Sequence, residues 1–74
     1  MDIVVTKYAN YAFLQLDEDI KDYKVILQNS KGKTIKQFYL KNKNFLLIDN
    51  LRANEKYIVE VKNAYNELIA NKKI

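Results

Sequence analysis

Apolar and polar residues alternate with a period of two along almost the whole chain. Tyr23, Val25 and Leu27 alternate with Lys24, Ile26 and Gln28, and Tyr57, Val59 and Val61 alternate with Lys56, Ile58, Glu60 and Lys62. Successive side chains of an extended backbone point to opposite faces, so both runs predict half-buried β-strands. Between them, residues 29–33 carry the only glycine, Gly32, where a hairpin requires a residue that tolerates positive φ, and residues 34–40 read as the return strand. Residues 41–44 are a polar turn, residues 45–48 a further strand, and Asp49, Asn50 and residues 52–55 the next corner. Near the start, residues 3–5 and 11–16 read as two strands joined across Ala9 and Asn10. Residues 68–70 with Ile74 form the seventh, with Tyr65, Asn66 and Glu67 at the hairpin tip; a helix over residues 64–73 is the alternative there. Short strands punctuated by turn signals every 8 to 12 residues or so predict an all-β fold, a seven-stranded antiparallel β-sandwich.

The same alternation assigns faces. With Tyr23, Val25, Leu27, Tyr57, Val59 and Val61 inward, Ile26 and Ile58 point outward, and with Tyr39 on the adjoining strand they predict one exposed patch rimmed by Lys24, Glu60 and Lys62. On the other sheet Ala12, Leu14, Leu16, Leu46 and Ile48 face the core, which leaves Tyr11, Phe13, Phe45 and Leu47 outside. Contiguous apolar area on a surface usually marks a contact, so Tyr11, Phe13, Phe45, Leu47, Ile26, Tyr39 and Ile58 are the candidate protein-contact residues. The competing expectation is that loops cover them, or that a bulge reverses one of the faces.

Length and charge narrow the picture. The chain of 74 residues has room for one small domain, 1–74, and at 49% apolar and 30% charged it builds a core, which excludes the disordered class. No apolar run approaches the roughly 20 residues of a membrane-spanning helix, so no membrane insertion is expected. Without cysteine or histidine there is no disulfide and no usual zinc ligand, and added stability would have to come from association. The formal charge is +4, and residues 30–48 contain Lys31, Lys33, Lys36, Lys41 and Lys43 with no acid. Interleaved with Phe38, Tyr39 and Phe45, these lysines are a candidate surface for single-stranded nucleic acid. The plainer reading is a solvated hairpin whose edge lysines discourage strand pairing, since lysine lacks the bidentate fork that arginine offers phosphate. Residues 1–7 carry an acid at position 2 and hold only three apolar residues in a row, unlike a secretory signal; the absence of cysteine suits a reducing compartment and a secreted bacterial module equally.

Catalytic chemistry finds little to work with. Gly32, Lys33 and Thr34 end like a phosphate-binding loop, but Leu27 stands where that motif requires its first glycine. Asp17, Glu18, Asp19 and Asp22 are a dense carboxylate group, yet as a calcium loop it has Asp22 in place of glycine and Gln28 in place of the bidentate glutamate. The hydroxyl nucleophiles besides tyrosine are Thr6, Ser30 and Thr34, and with no histidine none has a recognisable base. The chain reads as non-enzymatic, with no metal and no cofactor.

Residues 51–63 resemble the fibronectin type III pattern Leu-x-Pro-x-Thr-x-Tyr-x-Val-x-Val-x-Ala, matching at Leu51, Tyr57, Val59 and Val61. Residues 23–27 are similar to that family's strand C and residues 11–17 to its strand B. The chain departs from the pattern at Leu16, where the family has tryptophan, and at Ala53, Glu55 and Asn63. The resemblance implies a fibronectin type III-like sandwich in which the Tyr57 hydroxyl bonds back to the corner before it and Leu51 plugs the base of the core. It further implies an interaction or spacer module within a larger surface, secreted or phage structural protein, in an extracellular, cell-surface or virion setting. Tyr11, Phe13, Phe45 and Leu47 would then pack on a neighbouring domain or on a second copy in a homo-oligomer. The alternatives are a small basic β-barrel binding single-stranded nucleic acid through Lys31, Lys33, Lys36, Lys41 and Lys43, and a free-standing phage or plasmid protein binding a host factor.

Overall fold

Each alternating run becomes a strand. The computed structural model describes residues 2–17 and 22–74. Within them lie β1 (Ile3–Lys7), β2 (Ala12–Leu16), β3 (Asp22–Asn29), β4 (Thr34–Lys41), β5 (Phe45–Ile48), β6 (Tyr57–Lys62) and β7 (Leu68–Lys73). They pair into two antiparallel sheets, β1-β2-β5 and β4-β3-β6-β7, which pack face to face as a seven-stranded β-sandwich. The C-terminal segment is a strand and not a helix. Its ladder with β6 continues to Ile74, which exchanges both backbone hydrogen bonds with Tyr57 (3.0 and 2.9 Å), and Ile69, Ala70 and Ile74 pack against the core.

Asparagine takes over most of the work expected of glycine. Positive φ occurs at Gly32 (84°) and also at Asn42 (56°), Asn50 (59°) and Asn66 (64°). The β3–β4 and β6–β7 hairpins use one device twice. In the first, Asn29 Oδ1 accepts the N–H groups of Lys31 (2.9 Å) and Lys33 (3.0 Å), while the Gly32 N–H donates to the Asn29 carbonyl (3.0 Å). In the second, Asn63 Oδ1 accepts those of Tyr65 (2.9 Å) and Glu67 (3.0 Å), and the Asn66 N–H donates to the Asn63 carbonyl (3.0 Å). The asparagine side chain mimics a backbone turn, and the left-handed residue three places on reverses the chain. Each hairpin also has a register shift close to its turn, between Leu27 and Gln28 in β3 and between Val61 and Lys62 in β6.

The core is the layer between the sheets. Ala12, Leu14, Leu16 and Ile48 from one side meet Tyr23, Val25, Leu27, Leu40, Tyr57, Val59 and Val61 from the other, all buried. The predicted inward set of both sheets therefore holds, with Leu46 only half-buried at the edge. At the corner before β6, Tyr57 Oη accepts the Arg52 N–H (2.8 Å) and donates to Glu55 Oε2 (3.4 Å), and Leu51 is buried beside it. The Leu51 N–H donates to the Asn10 carbonyl (2.9 Å), which ties this corner to the β1–β2 connection. Across the two open sides of the sandwich, β1 packs against β7, whereas β4 and β5 stay further apart.

Candidate protein-contact face

The pairing registers place every outward side chain of the three-stranded sheet. Val4 lies beside Gln15, which lies beside Phe45, and Thr6 lies beside Phe13, which lies beside Leu47. Tyr8 and Tyr11 continue the same alternation past the strand ends, joined by a Tyr8 N–H to Tyr11 carbonyl bond of 2.8 Å. The Phe13 and Phe45 rings stack diagonally at 6.0 Å, and the Tyr8 and Tyr11 rings at 4.7 Å. Cross-strand aromatic pairs of this kind stiffen a sheet, yet all the apolar residues of this face stay exposed, from 38% at Phe13 to 61% at Val4. Thr6 and Gln15 are its only polar members along the strands, and both are uncharged. Charge begins at the ends. Asp2 and Asp17, joined by Asp2 N–H to Asp17 Oδ2 at 3.0 Å, close one end, and Asp49 follows β5 at the other. Contiguous apolar patches on monomers reach roughly 300–600 Å² and are often functional.

Tyr11, Phe13, Phe45 and Leu47 thus come together on one exposed surface, as their alternation predicts. Val4 and Tyr8 complete it and lie outside the set that the sequence predicts. Ending the first strand at residue 5 hides the Val4, Thr6, Tyr8 alternation, whereas β1 runs to Lys7.

The second expected patch does not form. Ile26 points outward but is only 6% exposed, and Ile58 is half-buried. Ile26 occupies a central strand, flanked in register by Gln37 on β4 and Glu60 on β6, with Lys24 and Gln28 on its own strand. Long polar side chains cover an apolar neighbour with their methylene stems while their heads stay in water. Tyr39, 75% exposed, stands apart on the edge strand opposite Lys24.

The basic residues are strung out along β4 rather than gathered on one face. Lys31 and Lys33 lie in the turn before it, Lys36 and Lys41 on it, and Lys43 in the turn after it. Phe38 is half-buried toward the core, and its successor Tyr39 projects from the opposite face, so the two rings do not form one platform. Lys36 reaches Asp49 at 4.0 Å and lies 5.5 Å from the Phe38 ring centroid. Of the carboxylate group, Glu18 and Asp19 fall outside the described residues; among the described residues no cluster of acids is arranged to hold a metal ion. Thr6, Ser30 and Thr34 are exposed and lie on three separate elements.

Several hollows line the four-stranded sheet and the open side. One of about 360 Å³ sits among Asp22, Lys24, Tyr39, Asn63 and Asn66. Two more, of about 480 and 370 Å³, lie between β4 and the β5 region. No family model matches the chain, and no curated protein matches it in sequence.

Proposed function

We propose that this chain is a fibronectin type III-like interaction or spacer module, non-catalytic, which packs the outer face of its three-stranded sheet on a neighbouring protein surface. The observation that carries the reading is the uncharged aromatic face of Val4, Tyr8, Tyr11, Phe13, Phe45 and Leu47. Solvating it is unfavourable for an isolated domain, at about 25 cal/mol per Å² of apolar area, and a partner surface relieves that cost.

Kinship with the fibronectin type III family is supported by two features. The Tyr57 hydroxyl bonds back to the Arg52 N–H, the geometry of the tyrosine corner, with Leu51 buried next to it. The fourth strand pairs with the third and not with the three-stranded sheet, which favours this family over constant-type immunoglobulin domains. Such modules are parts of larger surface, secreted or virion proteins, and that is the setting this reading assigns. An antibody raised against the domain and used on its native source tests it. The expected result is a reactive chain well above 8.8 kDa in medium, envelope or virion fractions. A band at 8.8 kDa confined to the cytosol would overturn the module reading.

A further inference from the structure

We infer that the β4 edge is a docking site for an extended acidic peptide segment that adds to the four-stranded sheet as a fifth strand. This surface adjoins the aromatic face at Phe45 and Leu47, which line one of its hollows, but does not depend on the reading given for that face.

The backbone supplies the first argument. β4 is an outermost strand eight residues long, paired only to β3, so alternate N–H and C=O groups along its free side have no strand partner among the described residues. Its register shift falls near the hairpin, opposite Leu27 and Gln28, and residues 36–41 pair regularly beyond it. That regular stretch offers roughly 20 Å of edge at about 3.3 Å per residue. Free edges are commonly covered by a neighbouring element. Here the nearest strand of the other sheet, β5, leaves the side open, and the two hollows of about 480 and 370 Å³ lie in the opening.

The chemistry of the rim names the occupant. The hollows are lined by Ile35 and Tyr57 at one end and by Leu40, Phe45 and Leu46 at the other; Lys41 and Lys43 line the second, and Lys36 lines the first together with Asp49 and Glu55. Alternation puts Lys36 on the side of β4 that carries Phe38 and Leu40, toward the opening, and Lys41 on the outer side with Gln37 and Tyr39, so a strand laid along β4 would meet a lysine on each face. A segment that mixes acidic and apolar residues meets this lining. The lysines also select against the commonest wrong partner: a second copy of β4 would bring like charges into register, whereas an acidic strand would not. The ion pair between Lys36 and Asp49 is exposed on both sides (51% and 67%), so an incoming carboxylate competes for a weakly held ammonium. Single-stranded nucleic acid fits less well, because its bases require a stacking platform and Phe38 and Tyr39 face opposite ways.

The test uses the whole chain with a fluorescein-labelled decapeptide of alternating valine and glutamate. Two further probes are the same peptide N-methylated at every backbone amide and a ten-nucleotide deoxythymidine strand. The expected result is saturable binding of the first peptide, weakened by salt, with slowed amide exchange at residues 36–41 and no binding of the N-methylated form. The variant K36E/K41E/K43E binds roughly tenfold more weakly, the loss expected of a few exposed ion pairs, while K73E on the opposite edge binds as the parent does. Circular dichroism checks that the triple variant is folded, and if it is not, the exchange pattern of the parent chain decides. The proposal is overturned by the absence of saturable peptide binding, by equal binding of the N-methylated peptide, by protection elsewhere than β4, or by tighter binding of the deoxythymidine strand.

Discussion

Ile26 and Phe13 occupy matching places in the two sheets and meet opposite fates. Each is an outward apolar residue on a strand with neighbours on both sides. Ile26 lies between Gln37 and Glu60 and is 6% exposed, whereas Phe13 lies between Thr6 and Leu47 and is 38% exposed. The direction of a side chain is set by strand alternation, but its exposure is set by what stands beside it. The neighbours of Ile26 have long polar stems of the kind that cover an apolar side chain, whereas those of Phe13 are short or apolar. The central outward residue of one sheet is thus covered, and that of the other stays in contact with water.

The largest effect that tests this contrast is Leu14→Ala. Leu14 is fully buried beside Phe13 in the same strand, and its truncation is expected to cost about 3 kcal/mol in urea unfolding, within the range for buried leucines. Phe13→Ala in the isolated domain should cost clearly less. Equal costs would mean that the two faces of β2 are assigned the wrong way round.

Next comes Tyr57→Phe, which leaves the Arg52 N–H without its acceptor at 2.8 Å and is expected to cost about 1–2 kcal/mol. A loss near zero by the same assay would show that the corner does not help to hold the sheets in place. Asn29→Ala removes the acceptor of two turn N–H groups and should cost about 1 kcal/mol, again by urea unfolding. Because Asn29 fixes the β3–β4 register, this variant should also bind more of a hydrophobic dye, as Gln37 loses its hold over Ile26. Unchanged dye binding would argue that Ile26 is shielded from elsewhere.

The smallest effect on stability is the most informative about function. Thr6→Lys sets a long charged stem beside Phe13 and copies the shielding of the other sheet. Unfolding free energy should stay within about 0.5 kcal/mol, as for most exposed substitutions, while packing of the face on a partner is lost. A partner that tolerates the lysine would have to bind elsewhere.

Most of the fold was legible because period-two alternation is enforced by burial on one face, and Leu14, Val25, Val59 and their neighbours carry it without interruption. The turns were legible in place but not in mechanism. Asn42, Asn50 and Asn66 adopt the left-handed conformation as Gly32 does, so a single glycine suffices for a chain with this many reversals. Ile26 shows where alternation stops informing: it reports direction, and the long polar neighbours Gln37 and Glu60 are set beside it by the pairing of β3 with β4 and with β6, the last a strand far away in sequence. Val4 and Tyr8 escaped for a local reason, since Thr6 and Lys7 interrupt the apolar run and make the first strand look two residues shorter than it is.

The central claim is that the aromatic face lies against a protein surface and the four-stranded face lies in water. A photo-reactive benzoylphenylalanine placed at Phe13, and separately at Gln37, tests both halves in the protein as it occurs in its source, with the adducts mapped by mass spectrometry. The account predicts a discrete protein crosslink from position 13, reaching an adjacent domain or a second chain, and none from position 37 when no acidic peptide is bound. Crosslinking from position 37 alone, or from neither position, would contradict it.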